Sequence, residues 1–301
     1  MQQTCLNQGW IYRDRVTRPS SLVDYYATHY THSSAAEWRD RIAAGQICVD
    51  GTPILDCETP LQPGQRLTYD RPPWAEPAVP FNVSVLYEDD DLLLIDKPSG
   101  LPVLPGGGFL QNTLTGWLQQ HYATPPIPMH RLGRGTSGVL LLAKTTTART
   151  ALSQAFRDRQ MQKIYRTLAT GSDQPETFTV DCAIGKVPHP SLGYLYAASA
   201  TGKPAVSHCR VLVRDRIPGA SLLEVNIPTG RPHQIRIHLA AAGYPLWGDP
   251  LYGKGGTAID TSSVPGDCGY HLHAYRICFT HPMRGEILTI AAPPPPLLEP
   301  S

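Results

Sequence analysis

Thirty prolines are spread through 301 residues, and no other feature of the sequence so limits the folds open to it. A proline has no amide proton to give a helix or an inner strand, and its ring fixes φ, so a chain this rich in it turns often. Long uninterrupted helices are excluded. The run Arg71-Pro-Pro-Trp-Ala-Glu-Pro-Ala-Val-Pro80 can continue neither a helix nor a strand and reads as a linker over 71–80. It divides the chain into a small module over 20–70 and a larger domain over 81–292, with a proline-rich tail over 293–301 expected to be flexible. Hydrophobic residues at 41% against 17% charged suit a chain that buries a core, since a disordered one would be poorer in the first and richer in the second.

Local patterns fill in each part. Ser21 is placed to cap a helix carrying Leu22, Tyr25, Tyr26 and Tyr30, and Ser34 with Glu37 has the spacing of a capping box ahead of Trp38 and Ile42. Ile47 to Val49, a turn at Asp50-Gly51, and Arg66 to Tyr69 predict a hairpin. Beyond the linker, strands are expected at Val83–Tyr87, Leu92–Ile95, Val139–Ala143, Ile164–Ala169, Phe178–Ala183, Ser207–Val213, Leu222–Ile227 and Arg276–Phe279. Helices are expected at Thr113–Tyr122, Ala148–Arg159 and Pro232–Ala242, the last with Pro232 in its first turn. Many strands with few interposed helices predict an α+β fold with a mixed, largely antiparallel sheet.

Charge restricts function less. The net charge is +1, yet Arg131, Arg134, Lys144, Arg149, Arg157, Arg159, Lys163 and Arg166 face the single acid Asp158 in one stretch, as on a phosphate-binding face or an ordinary solvated one. No apolar run approaches a membrane span, and Met1 to Arg15 holds no apolar signal core, so no membrane partner is expected and the protein should be cytoplasmic, or stromal in a eukaryote's organelle. Seven cysteines without C-x-x-C spacing fit reduced thiols. His271, His273 and His281 lack companion ligands at matching spacing, so no metal is expected.

Gly133-Arg-Gly-Thr-Ser-Gly138 satisfies G-x-G-x-x-G, but it follows Pro125, Pro126 and Pro128 and leads into the apolar run Val139–Ala143. A dinucleotide site needs that fingerprint between a strand and a helix, so no nicotinamide or flavin is expected. The same residues sit in a longer pattern. His130-Arg-Leu-Gly-Arg-Gly-Thr-Ser-Gly-Val-Leu-Leu-Leu-Ala-Lys144 resembles the signature of RluA-type RNA pseudouridine synthases, usually His-Arg-Leu-Asp followed by Thr-Ser-Gly. Three further segments are similar to that family in order: Tyr87 to Pro102, Lys163-Ile-Tyr165, and Thr229 to Leu239 followed by Gly248-Asp-Pro-Leu-Tyr252. Gly202-Lys-Pro204 and Leu272-His-Ala-Tyr275 extend the likeness, which spans Val83 to Pro282, and the 20–70 module resembles an S4 RNA-binding domain.

The resemblance implies isomerisation of uridine in RNA, ribosomal or transfer, by a monomer without a cofactor: the glycosidic bond breaks, the base turns, and C5 rejoins the sugar. A stacked base must first leave its helix. The resemblance assigns that gap-filling role to Arg131, stacking on the base to Tyr165, and pairing with the catalytic carboxylate to Arg236. His130, Arg134, Thr136, Arg231 and His233 are expected to contact RNA, and the turn at Thr229-Gly230-Arg231 could offer amides to a phosphate. His233, Arg236 and Ala240 should share one helix face, with Ile235 and Leu239 on the apolar stripe. Gly133 stands where the family places its aspartate, and glycine can neither attack nor take a proton. Either another acid serves, Asp249 and Asp96 being nearest by motif position, or the chain binds RNA without chemistry, or it is a structural protein. Arg236 should then pair with a different carboxylate or with a phosphate.

Overall fold

The structure is a computed structural model describing residues 6–30, 33–189, 192–259 and 263–300. Two units divide the chain: residues up to Glu76 with 189–194, and the remainder. In the first, Ser21 accepts a hydrogen bond from the Asp24 amide at 3.2 Å and opens helix Leu22–His29. Ser34 and Glu37 close the capping box, the Glu37 carboxylate accepting from the Ser34 amide at 2.7 Å, and helix Ala35–Ala43 follows. Their apolar faces bury Leu22, Tyr26, Trp38 and Ile42 against Ile47, Leu67 and Tyr69. Asp50 and Gly51 both take positive φ, as a tight hairpin turn requires. The sheet gains a strand that the sequence reading does not contain, Trp10–Arg15, paired antiparallel with Arg66–Arg71. Its residues are nearly all exposed, so no apolar alternation marks it.

The second unit is built on a ten-stranded sheet. Its main path runs Thr177–Asp181, Val206–Ile217, Ala220–Asn226, Gln162–Thr170, Leu272–Thr280, Ser137–Ala143, Leu92–Lys97 and Ser84–Glu88. Among the described strand pairs, Ser137–Ala143 and Leu272–Thr280 run parallel and the others antiparallel, so the fold is α+β with a mixed, largely antiparallel sheet, as expected. All seven residues of Ser137–Ala143 are buried because both faces of the sheet are covered. Leu140 and Leu142 pack with helix Leu114–His121 on one side, and Val139 and Leu141 with helix Thr146–Arg157 on the other. Gly138 allows the strand to change neighbours: its φ is +106°, and a Cβ there would lie 2.3 Å from the Ala274 carbonyl oxygen.

Helix Gln234–Ala241 departs most from expectation. Pro232 lies outside it, and His233 caps it in the left-handed region at φ 54°. Seven of its eight residues are buried, so it has no solvent face. Strands Ile184–His189, Gly193–Ala198 and Ile287–Ala291 were also not legible beforehand.

Candidate active site

The buried helix fixes the centre of the site. Arg236 is 2% exposed, and a guanidinium so far from water needs a partner on nearly every N–H. Asp249 supplies two, accepting from Nε and Nη2 at 2.7 Å each, and the Pro265 carbonyl accepts from Nη1 at 3.1 Å. The carboxylate anticipated for Arg236 is therefore Asp249. Asp249 Oδ1 also accepts from the amides of Leu251 at 2.9 Å and Tyr252 at 3.1 Å, so three donors converge on Oδ1 and one on Oδ2. The rings of Tyr270 and Tyr252 cover the guanidinium, at 4.2 and 5.0 Å from Cζ.

Opposite lies the loop 133–136. The Thr136 amide donates to the Gly133 carbonyl at 3.0 Å, closing a turn. The segment after strand Leu92–Lys97 holds that turn from behind: the Gly100 amide reaches the Arg134 carbonyl at 2.8 Å and the Ser99 hydroxyl the Gly135 carbonyl at 2.7 Å. Lys97, fully buried, donates to the carbonyls of Pro98 and Leu101 at 2.8 Å and of Arg134 at 3.4 Å, and burial lowers its pKa to about 7. Gly133 has an ordinary backbone conformation, so its lack of a side chain answers to a neighbour and not to φ. That neighbour is Tyr270. A Cβ on Gly133 would lie 2.9 Å from its hydroxyl oxygen, and one on Gly135 3.0 Å from its Cζ.

Between the loop and the helix opens a cleft of about 90 Å³. Arg131, Gly133, Thr136, Tyr165, Arg231, His233, Arg236 and Tyr270 all line it, and among the described residues no carboxylate does. Tyr165 is 8% exposed, burial pushes its pKa up to about 12, and its hydroxyl has no hydrogen-bond partner among the described residues. Arg131 is exposed and makes no hydrogen bond or ion pair among them. His233 meets the Tyr252 hydroxyl at 2.8 Å through Nδ1, and that hydroxyl donates to the Tyr196 carbonyl at 2.7 Å. Nδ1 therefore carries the proton, and burial with Arg236 nearby holds the ring neutral, its pKa pushed down to about 4.

The remaining expected contacts are tied into the scaffold. His130 accepts from the Leu141 amide through Nε2 at 3.1 Å, and burial brings its pKa down to about 3. Arg134 donates to the Gly266 carbonyl at 2.8 Å, and Arg231 to the Pro204 carbonyl at 3.0 Å. The Arg231 amide, offered to a phosphate in the sequence reading, is taken by Gln234 at 3.0 Å. Asp96 is half-buried, accepts from the Gly138 amide, and does not line the cleft. His273 and His281 are held by Ser137 and Asp89. Tyr270 escaped the sequence reading because nothing near it in the chain announces the loop it meets, 134 residues before it at Thr136.

Residues 91–241 match the family model described as RNA pseudouridylate synthase. An uncharacterized RNA pseudouridine synthase of Synechocystis sp. is 52% identical over 92% of this chain and 95% of its own length. RNA pseudouridine synthase 5 of Arabidopsis thaliana is 41% identical over 98% and 95%. The solved structure of human RNA pseudouridylate synthase domain containing 1 is similar in fold, with a TM-score of 0.57 at 24% identity, covering 74% of this chain and 89% of that one. With half of its length matched by the family model and relatives aligned almost end to end, the chain belongs to the RNA pseudouridylate synthase family.

Proposed function

We propose that this protein is an isomerase that converts uridine to pseudouridine in structured RNA, ribosomal or transfer. The observation that carries the reading is the cleft itself, which Tyr165, Arg131 and Arg236 line together and which a base turned out of its stack would enter. Tyr165, whose hydroxyl has no partner among the described residues, sits at the wall where a uracil would lie flat, and the exposed Arg131, unpaired among them, is the group able to occupy the gap a flipped base leaves. Buried Arg236, locked by Asp249, presents a fixed positive field toward charge that develops on the base as the glycosidic bond breaks. The module over 20–70 acts in this reading as an S4-like RNA-holding domain, and the catalytic unit works as a monomer in the cytoplasm or an organelle stroma.

The absence of a cleft carboxylate among the described residues favours one second reading, an RNA-binding protein without chemistry. Turnover separates the two. Ribosomal and transfer RNA transcripts labelled with tritium at uracil C5 should release tritium with the native protein, because the C5 proton is lost as C5 joins the sugar. Binding of both RNAs with no release and no pseudouridine in the digested product would establish the second reading.

A further inference from the structure

We propose that the Tyr270 hydroxyl is the proton-transfer group of this site: it protonates uracil N1 as the C1′–N1 bond breaks, and the phenolate so formed takes the C5 proton once C1′–C5 has formed. This rests on the synthase reading. The electron pair of the C1′–N1 bond leaves with the base, and the pair that forms C1′–C5 comes from the base. N1 gains one proton, C5 loses one, and the phenol is regenerated, so no co-reactant is needed.

The choice follows by elimination within the cleft. A group that both gives and takes a proton near neutrality must be protonated at rest and must touch the base. Arg131, Arg231 and Arg236 do not release protons under these conditions. Neutral His233 carries its proton on Nδ1, engaged by Tyr252, and has none to give from Nε2. Asp249 is a buried carboxylate paired bidentately with Arg236, and it does not line the cleft. Among the described residues that line the cleft, two phenols remain, Tyr165 and Tyr270.

Position and surroundings separate them. Burial raises the pKa of both phenols, but the guanidinium of Arg236, 4.2 Å from the Tyr270 ring centroid, opposes that rise at Tyr270 and favours a phenolate there more than at Tyr165. The Tyr270 hydroxyl has one partner among the described residues, Thr136 at a long 3.4 Å, and a rotating threonine hydroxyl can follow its change of charge. Gly133 and Gly135 leave the phenol its space, since a Cβ on either would collide with it. The loop and the tyrosine form one fitted arrangement that brings the hydroxyl to the cleft wall.

The test is single-turnover pseudouridine formation on ribosomal and transfer RNA transcripts, measured by nucleoside chromatography for native protein, Tyr270→Phe and Tyr165→Phe, with RNA affinity and thermal melting in parallel. Tyr270→Phe should keep the native fold and bind RNA within about twofold of native, yet form pseudouridine at least about a hundredfold more slowly. With RNA deuterated at uracil C5, its residual rate should show a larger isotope effect than the native rate, because proton removal then limits turnover. A folded Tyr270→Phe working within about threefold of native would overturn the proposal while leaving the synthase reading intact. A native protein silent on every transcript it binds would overturn both.

Discussion

At the scale of single residues, Gly133 and Tyr270 are one feature seen from two sides. Placing even a methyl group at 133 forces Cβ to within 2.9 Å of the phenol oxygen, closer than a packed interior accepts. Gly133→Ala is expected to cost about 1–3 kcal/mol of stability in the native background. In a Tyr270→Phe background, where the colliding oxygen is gone, the same change should cost at least about 1 kcal/mol less. Urea unfolding of the four proteins measures this coupling, and equal costs in both backgrounds would contradict the contact. Gly133→Asp alone should for the same reason fail to raise activity. Asp249→Asn removes the charge that compensates a guanidinium 2% exposed, so a loss of about 3–5 kcal/mol is expected. A loss under about 1 kcal/mol in the same unfolding assay would mean that Arg236 finds another partner.

Secondary-structure elements divide into those that announce themselves and those set by distant neighbours. Ser34 with Glu37 was legible because a capping box is written within four residues, and Ser34→Ala should cost about 0.5–2 kcal/mol, read as a lower melting temperature. Strand Ser137–Ala143 was legible as an apolar run, and helix Thr146–Arg157 was placed within two residues at either end. Strand Trp10–Arg15 was not, since it buries little and owes its pairing to Arg66–Arg71 far along the chain. The left-handed His233 was hidden too, because proline before it predicts a helix start and only the packed bundle decides otherwise. Of the site, Tyr165, Arg131 and Arg236 were readable through motif likeness and do line one cleft, whereas the Arg236–Asp249 pairing and Tyr270 depend on packing that no local window contains.

Asp89 joins elements in a way that predicts a pH response. It accepts from the Tyr87 hydroxyl at 2.6 Å, from the amides of Asp91 and Leu92 at 2.8 Å, from His281 at 2.9 Å and from Arg284 at 2.7 Å. Burial opposes its charge, but these donors outweigh burial and hold its pKa well below the usual carboxylate range. A carboxylate whose pKa is lower folded than unfolded stabilises the fold above its unfolded value of about 3.9, and that contribution fades as pH falls toward the folded value. The stability gap between native protein and Asp89→Asn should therefore be widest near neutrality and shrink below about pH 4. A gap that stays constant from neutral to acid conditions in urea unfolding would remove the carboxylate's charge from the account.

For the whole molecule, a net charge of +1 gives no long-range attraction to a polyanion, so RNA affinity is expected to rest on local cations, of which Arg131 is the one to test. Affinity should fall as salt rises, each phosphate contact adding about 0.7–0.9 to the slope of log affinity against log salt. Arg131→Ala should reduce that slope by about one unit if it meets a phosphate and leave it unchanged if it fills the place of a base. Helix Gln234–Ala241 carries a last consequence. Because it is buried on every face and pinned through Arg236, the wall it forms has no freedom to adapt to what enters. The work of accommodation then falls on the nucleic acid: uridines in hairpin loops, bulges or beside mismatches should be modified faster than the same uridines locked in a continuous duplex, and loosening the RNA by heat should narrow that difference.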